Sequence, residues 1–326
     1  MAKPKIKVNF CDNDDTFVNE KNNLFLEILQ KNYDVEISEK PDFVFYSCFG
    51  TKHWDYTNCV KIYYTNENVV PDFNECDYGI GFHHIKFEDR YLRFTEYNLK
   101  IQPEIQNRQN LSDNLTKRKF CNFVYSNCRN GEGAALRAEF CKALSKYKHI
   151  DCPGKVLNNM QDAISPRNGD WQQGKLDFLS NYKFTIAFEN RQTNGYTTEK
   201  LFHPLMANSI PIYWGNPKAV EDFNPKAFIN CNDYNSLDEV IEKVKELDND
   251  DEKYMQMIKE PAMRENYDFN GYKKLEKFLN NIIAKGNMPL VRQRNKFVRF
   301  YERYAPIRDK GMHKILYIFG IKIKVG

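Results

Sequence analysis

The stretch KFTIAFENRQTNGYTTEKLFHPLMANSIPIYWGNP, residues 183–217, decides the fold of this chain. Residues 184–188 form an apolar run between polar positions, which predicts a buried strand. Residues 189–195 are polar and include a glycine, as loops do, and residues 196–207 carry apolar side chains at helical spacing. A second apolar run at 210–214 predicts another strand. This order of strand, loop, helix and strand is typical of a parallel α/β sheet.

The loop of this stretch lies where parallel α/β sheets bind ligands. The carboxyl ends of strands and the N-termini of helices offer free N–H groups and partial positive charge, which suit an anion. Five polar or aromatic residues fall there: Glu189, Asn190, Tyr196, Glu199 and Lys200. A carboxylate can accept from a ribose diol, a lysine can neutralise a phosphate, and a tyrosine can cover a base or sugar. The pattern indicates a nucleotide diphosphate, although an isolated Glu-Lys pair is usually a solvated first turn of a helix.

Three groups of motifs resemble the α1,3/α1,4-fucosyltransferase family. FTIAFEN at 184–190, YTTEK at 196–200 and IPIYWG at 210–215 resemble its donor-binding motif in order and spacing. VKIYYTNEN at 60–68, followed by DYGIGF and DRYLR, is similar to the acceptor-domain signature of the bacterial branch. FVYSN at 123–127, followed by LRAEF, resembles the strand and helix whose arginine holds the donor diphosphate. The resemblance extends from about residue 40 to about residue 285.

The resemblance implies how a GDP-fucose donor would be bound. Arg137 and Lys200 would neutralise the diphosphate, and Glu199 would accept hydrogen bonds from the ribose. Asn190 would help to orient the donor, and Tyr196 would line the guanine or ribose site.

The resemblance also implies an inverting fucosyltransferase that moves L-fucose from GDP-fucose to GlcNAc of a Gal-GlcNAc glycan, as in Lewis antigen synthesis. Glu67 falls on the proposed general base, and a single displacement needs one base. The roles of two further residues stay open. Glu189 could contact donor or acceptor, or it could cap a neighbouring loop or pair with Arg191. Arg129 could contact phosphate or be solvated.

Length and pattern predict two domains, because 326 residues with 41% apolar content exceed what one core usually organises. We expect an acceptor-binding Rossmann-like domain at 1–105, a linker at 106–119 and a donor-binding Rossmann-like domain at 120–286. A basic helix or tail follows at 287–326. Two Rossmann-like domains facing a cleft form the GT-B type of α/β architecture, which the resemblance also implies.

Alternating strands and helices are predicted in both domains. The expected strands are residues 6–10, 35–37, 43–46, 61–64, 78–81, 120–125, 184–188, 210–214 and 227–230, with another near residue 150. The expected helices are residues 24–29, 134–147, 176–179, 196–207, 237–247 and 272–283.

Two Asp-x-Asp sequences, DND at 12–14 and DND at 248–250, raise the question of a divalent cation, which some glycosyltransferases use. We interpret each as a solvated acidic turn. The diphosphate charge is better assigned to Arg137, Lys200 and a helix end. We therefore expect no metal site and no required cofactor, although a divalent cation could stimulate the reaction.

The C-terminal residues 287–326 are basic. They contain ten Lys or Arg against two acidic residues, a net charge of +8, whereas the whole chain carries +4. Aromatic residues at 297, 300, 301 and 304 accompany the basic ones in an expected helix, and residues 315–323 are mostly apolar. This tail could contact an anionic membrane near a lipid-linked or lipopolysaccharide acceptor. Alternatively, its helix packs on the first domain.

The cysteine content and the targeting and binding motifs predict where the protein is located and which partners it has. Nine cysteines at irregular spacing indicate reduced thiols, and no signal peptide or membrane-spanning run is apparent. We therefore expect a cytoplasmic protein, with peripheral contact to the inner face of a membrane through the tail. Nucleic acid is not an expected partner, since the body is slightly acidic and DNA-binding motifs are lacking. The sequence contains no heptad repeat that would predict a dimer. The alternative function, a transferase that uses another nucleotide-activated sugar, also stays open.

Overall fold

The computed structural model describes residues 2–14, 17–19, 22–127, 131–160, 171–291, 308–310, 313–318 and 321–325. The chain forms two compact units. The first comprises Met1–Gly81, Phe87–Leu92 and Glu276–Gly326, and the second comprises Phe82–Lys86 and Arg93–Leu275. The stretch 106–119, which the sequence suggested as a linker, lies within the second unit. Residues 93–105 belong there because Tyr97 and Ile101 are buried in its core with Phe202.

The first unit is built on a six-stranded sheet. Its strands are β1 Lys5–Cys11, β2 Asp34–Ile37, β3 Phe43–Tyr46, β4 Val60–Tyr64, β5 Tyr78–Gly81 and β6 Tyr91–Arg93. Their order is β2-β1-β3-β4-β5-β6, and the pairs from β2 to β5 are parallel. Helix α1, Leu24–Asn32, begins at Asn23, whose side chain accepts a hydrogen bond from the N–H of Leu26. The ring of Phe25 on α1 stacks on Phe45 of β3, so the helix covers this sheet.

The second unit is built on a five-stranded parallel sheet. Its strands are β7 Lys119–Asn122, β8 Ile150–Asp151, β9 Tyr182–Phe188, β10 Ile210–Trp214 and β11 Ile229–Asn230. Its helices are α2 Tyr97–Lys100, α3 Glu132–Leu144, α4 Trp171–Leu179, α5 Glu199–Met206, α6 Leu237–Asp248 and α7 Asp251–Ile258. The last helix, α8 Gly271–Ala284, begins in the second unit and ends in the first. All seven residues of β9 are buried, as expected of a central strand that helices cover on both faces.

The strand order of this sheet, β11-β10-β9-β7-β8, reverses between β7 and β9. From β7 the chain continues to β8 on one side, whereas β9 leads to β10 and β11 on the other. The crossovers on the two sides diverge at this point. A crevice therefore opens beyond the carboxyl ends of β7 and β9, which is where open α/β sheets bind ligands.

Most predicted elements of both sheets are confirmed, and the exceptions have local causes. Helix α5 begins three residues later than predicted, because the side chain of Thr198 accepts a hydrogen bond from the N–H of Lys200 and starts the helix there. Helix α7 was not predicted. The acidic turn before it is a helix start, in which the side chain of Asp250 accepts from the N–H of Lys253.

The tail contains a three-stranded antiparallel sheet that the sequence did not predict. Its strands are β12 Arg308–Lys310, β13 His313–Ile318 and β14 Ile321–Val325. The aromatic helix expected around residues 297–304 lies outside the described residues. Among the residues that the structure describes, no helix is long and apolar enough to cross a bilayer.

Candidate active site

A cavity of about 380 Å³ lies at the carboxyl ends of β7 and β9 in the second unit. Four of the predicted donor-binding residues line it: Arg137, Asn190, Glu199 and Lys200. The volume is within the range of small-molecule sites. The structure thus brings Arg137 together with three residues that lie more than fifty positions later in the sequence, at the point that the reversal of strand order defines.

Glu189, directly after β9, anchors the N-terminus of α5 and is completely buried. Its carboxylate accepts hydrogen bonds from the backbone N–H of Thr198 at 2.8 Å and from the Thr198 hydroxyl at 2.8 and 3.0 Å. The ammonium of Lys200 lies 3.4 Å away. Burial raises the pKa of Glu189, and the positive charge of Lys200 acts against that rise. Of the two interpretations left open by the sequence, these contacts fit a cap of the neighbouring loop.

Glu199 and Lys200 form the polar wall of the cavity. The ammonium of Lys200 lies 3.0 Å from the Thr198 hydroxyl and 3.2 Å from Glu199 Oε1. Burial acts to raise the pKa of Glu199, but the charges of Lys200 and Lys175 outweigh it and hold that pKa far below its usual range. Glu199 is therefore ionised throughout the physiological pH range and can accept hydrogen bonds from ligand hydroxyls.

Arg137 projects from α3 and is buried. Its guanidinium donates to the side-chain oxygen of Asn190 at 2.9 Å and to the backbone oxygen of Asn127, and it lies 4.1 Å from the centre of the Tyr125 ring. The Tyr125 hydroxyl in turn lies 2.8 Å from the backbone nitrogen of Phe188, from which it accepts a hydrogen bond. Arg137 is thus held where β7 and β9 both end.

The close approach of α3 to this strand end requires a glycine. A Cβ atom on Gly133 would lie 2.1 Å from the backbone oxygen of Glu189 and 2.4 Å from the Trp214 ring. The Gly133 N–H instead donates to the backbone oxygen of Asn190 at 3.1 Å. Any larger residue would push α3, and Arg137 with it, away from β9.

Tyr196 does not line this cavity. Its ring packs edge-on against Phe82, with 5.0 Å between ring centres, and the residue is buried. The role at the guanine or ribose site that the resemblance implies for Tyr196 stays a prediction. Arg129, the other open candidate, lies outside the described residues.

Lys175 lines the cavity but was missed in the sequence. A lone lysine just before a short predicted helix, residues 176–179, carries no motif. One signal was available, because Leu179 is apolar and lies four positions later, on the same face of the helix. Leu179 is fully buried and lines the same cavity, so α4 points this face at the site.

Glu67 lies in the first unit, just after β4, and is exposed. Its backbone N–H donates to the Thr65 hydroxyl at 3.0 Å. The buried carboxylate of Asp14 accepts from the N–H of Asn66 at 2.6 Å and lies 3.4 Å from the same Thr65 hydroxyl. Asp14 therefore holds the short segment that carries Glu67, a role that the sequence did not reveal.

The interpretation of the two Asp-x-Asp sequences as solvated turns was wrong. Asp12 accepts from the backbone N–H of His53 at 3.0 Å, and Asp14 is buried as described above. The Asp248 carboxylate lies 3.0 Å from Lys183 Nζ, with 2% of its side chain exposed. Distant segments supply donors to these carboxylates, which a local pattern cannot reveal. Within the described ranges, no group of three His, Cys, Asp or Glu residues could hold a metal ion.

Two parallel sheets flanked by helices, with a polar cavity at the reversal point of the second, define an α/β protein of the GT-B glycosyltransferase type. Two family models match in succession. The α-(1,3)-fucosyltransferase FucT N-terminal domain matches residues 8–100, and the C-terminal part of glycosyltransferase family 10 (fucosyltransferase) matches residues 114–270. The chain belongs to the fucosyltransferase family.

Individual relatives agree with this assignment. Helicobacter pylori α-(1,3)-fucosyltransferase FucT is 32% identical over 280 residues, which cover 74% of this chain and 56% of that protein. GDP-fucose protein O-fucosyltransferase 3 of Xenopus tropicalis is 32% identical over 204 residues, or 59% of this chain and 41% of that protein. The chain thus spans about half the length of these curated relatives. A crystal structure of an α1,3-fucosyltransferase with GDP-fucose aligns with a TM-score of 0.69 and 30% identity, over 86% of this chain and 91% of that one.

Proposed function

We propose that this protein transfers L-fucose from GDP-fucose to a glycan hydroxyl with inversion at the anomeric carbon. The observation that carries the proposal is the cavity where Arg137, Asn190, Glu199 and Lys200 meet. Cations beside an ionised carboxylate suit a ligand with both a diphosphate and a ribose. The likeness to a fucosyltransferase crystallised with GDP-fucose supports that donor.

Each residue at the cavity has a task for this donor. Glu199 accepts hydrogen bonds from the ribose hydroxyls. Arg137 and Lys200 direct positive charge at the diphosphate, whose negative charge grows as its bond to fucose breaks, and fixed charges in a water-poor site stabilise that growth. Asn190 orients the donor beside Arg137. Tyr196 lies outside the cavity lining, packed against Phe82, and its proposed role is at the guanine or ribose where the nucleoside extends beyond that lining.

Glu67 acts as the general base of a single displacement. The bond between fucose C1 and the β-phosphate oxygen breaks, and its electron pair leaves with GDP. A new bond forms between C1 and the acceptor oxygen, whose proton passes to the Glu67 carboxylate. The exposure of Glu67 after β4, on a segment held by Asp14, supports this role.

The acceptor in this proposal is GlcNAc of a Gal-GlcNAc glycan, at its 3- or 4-hydroxyl, which gives Lewis-type products. A second acceptor class is a hydroxyl of a protein side chain, because one relative of similar identity is named a protein O-fucosyltransferase. The alternative donor is another nucleotide-activated sugar bound on the same fold.

Product analysis tests donor, acceptor and linkage together. The purified protein would be incubated with GDP-fucose and a panel of type 1 and type 2 disaccharides, lactose and a Ser/Thr peptide. NMR of the product should show an α-linked fucose, since inversion of GDP-β-L-fucose gives the α-anomer. Transfer from GDP-mannose or UDP-galactose, and none from GDP-fucose, would establish the alternative donor instead.

The reaction in this proposal requires no metal. Turnover should persist in EDTA, and added Mg²⁺ or Mn²⁺ should change it by no more than a few-fold, because side-chain cations already face the diphosphate. Loss of turnover in EDTA, with recovery on adding one cation, would contradict this part of the proposal.

The tail would hold the protein at the inner, anionic face of a membrane. Its net charge of +8 supports this, as does the register of the tail sheet, in which Leu316 pairs with Ile323 and Ile318 with Ile321. Sedimentation with phosphatidylserine vesicles should exceed sedimentation with phosphatidylcholine vesicles and should fall as salt is raised. Replacing Lys322 and Lys324 with Glu should weaken the binding about tenfold or more. Equal sedimentation with both lipids would exclude this contact.

A further inference from the structure

A third cation lines the donor cavity beside Arg137 and Lys200. Lys175, on α4, borders the same space, and 12% of its side chain is exposed. We propose that Lys175 binds the diphosphate of the nucleotide donor. This inference rests on the proposed function and adds a residue that neither the motif nor the family resemblance supplied.

Lys200 is already occupied by protein groups. An ammonium has three hydrogens, and three oxygens surround that of Lys200: the Thr198 hydroxyl at 3.0 Å, Glu199 Oε1 at 3.2 Å and Glu189 Oε2 at 3.4 Å. Two of these three acceptors are carboxylates. The hydrogens of Lys200 are therefore directed at protein oxygens, and a phosphate oxygen would have to displace one of these partners to accept a hydrogen bond, although the charge of Lys200 still acts on a bound anion.

Arg137 is occupied in a similar way. Its guanidinium donates to the backbone oxygens of Phe188 and Asn127 and to the side chain of Asn190. These bonds place Arg137 at the edge of the cavity, but they engage N–H groups of both terminal nitrogens of the guanidinium with protein oxygens. Its charge still acts on a bound anion, although fewer of its donors are available.

Lys175 is less constrained. The Glu199 carboxylate lies 4.0 Å from Lys175 Nζ, which is longer than a hydrogen bond. Burial lowers the pKa of Lys175, and the charge of Glu199 only partly opposes this. A largely buried ammonium at that distance from its counter-ion is stabilised by an anion that enters the cavity.

The charge around the cavity selects the diphosphate rather than the nucleoside. Among the described residues that line it, three cations stand against the carboxylate of Glu199, so the lining has a net positive charge. A diphosphate carries more than one negative charge, whereas the guanine and ribose carry none. Lys175 should therefore act on ligands in proportion to their phosphates.

The test compares guanosine, GMP and GDP by calorimetry on the full chain. Lys175→Met removes the ammonium and keeps the length of the side chain, and Lys175→Arg keeps the charge. Lys142→Met is the control, because it removes the same charge from an exposed position on α3. Thermal unfolding of each ligand-free variant verifies that it is folded.

Lys175→Met should lower the affinity for GDP about 10- to 100-fold, the affinity for GMP by a smaller factor and the affinity for guanosine by less than about twofold. Lys175→Arg should recover part of the GDP affinity, and Lys142→Met should match the wild type. The proposal is wrong, while the donor assignment stands, if Lys175→Met binds GDP like the wild type. The same holds if its affinity for guanosine falls by as large a factor as its affinity for GDP. Failure of the wild type to bind GDP would instead remove the proposed function, and this inference with it.

Discussion

The ammonium of Lys200 lies 3.4 Å from the buried carboxylate of Glu189. Glu189 directly follows β9 and Lys200 lies in the first turn of α5, so this ion pair ties the end of the strand to the helix that follows it. Thr198, between them in sequence, bonds to both. The wall of the cavity is thus built on a charge pair whose acidic member cannot reach solvent.

Glu189→Gln should destabilise the protein. The amide keeps the size of the side chain but removes the negative charge that faces the Lys200 ammonium, and it places an N–H donor against the donors of Thr198. We expect the free energy of unfolding to fall by about 2 to 4 kcal/mol. Urea unfolding measures this free energy. Glu242→Gln is the control, since the Glu242 side chain is 70% exposed in its pair with Lys245 and should cost less than about 1 kcal/mol. Equal effects of the two changes would show that the buried pair adds nothing.

Glu67→Gln should abolish most transfer while GDP binding is retained. Removing a general base typically costs a factor of about 10² to 10⁴ in kcat. The measurements are steady-state kinetics with a glycan acceptor and calorimetry with GDP. Glu36→Gln, on β2 in the same unit and with 41% of its side chain exposed beside Lys5, should leave both unchanged. Normal turnover of Glu67→Gln would remove Glu67 from the role of base.

Asp14→Asn should lower kcat without raising the KM for GDP-fucose. Asp14 accepts from the N–H of Asn66 at 2.6 Å, so its loss would let the segment bearing Glu67 shift. A small displacement of a catalytic group can reduce the rate by about 10- to 100-fold. Combining the change with Glu67→Gln should add little further loss, because a base that is absent cannot be misplaced. Additive losses would point to a separate role for Asp14.

Glu199→Gln should weaken GDP about tenfold and erase the preference for GDP over its 2′,3′-dideoxy form. This follows if Glu199 accepts from the ribose hydroxyls. Because Lys200 and Lys175 hold the pKa of Glu199 far below its usual range despite burial, GDP affinity should not fall through protonation of Glu199 between pH 7 and pH 5. A variant that keeps the preference would place the ribose elsewhere.

His203 should make the protein less stable in acid. Burial, with the charge of Lys175, lowers the pKa of His203 to about 3, so this imidazole stays neutral in the folded chain. In the unfolded chain the same side chain takes up a proton below its ordinary pKa of 6.5. Stability from this residue is therefore present above about pH 6.5 and is lost as pH falls toward 3.

Urea unfolding between pH 7 and pH 4 measures this dependence. His203→Gln should flatten the decline, whereas His149→Gln, at a side chain that is 73% exposed, should leave the slope nearly unchanged. An unchanged slope in His203→Gln would assign the acid sensitivity to other groups.

Local pattern predicted most of both sheets. The runs that became β3 and β5 were predicted to the residue, and β10 likewise, because a strand covered on both faces reads as a continuous apolar segment between polar ends. The late start of α5 and the existence of α7 were missed. Each depends on a side chain that caps a helix, and the sequence contains more capping residues than helices.

The sequence by itself determined the strand, loop, helix and strand of residues 183–217 and the chemical types of the residues at its loop, since both are properties of a short segment. The tertiary structure alone decided which of those side chains reach the cavity. Glu189 turns inward because Thr198 and Lys200 surround it, and Lys175 joins the site because α4 lies beside α5. Arg137 and Lys175 come from other segments of the chain, and they reach the cavity only because the strand order brings the carboxyl ends of β7 and β9 side by side.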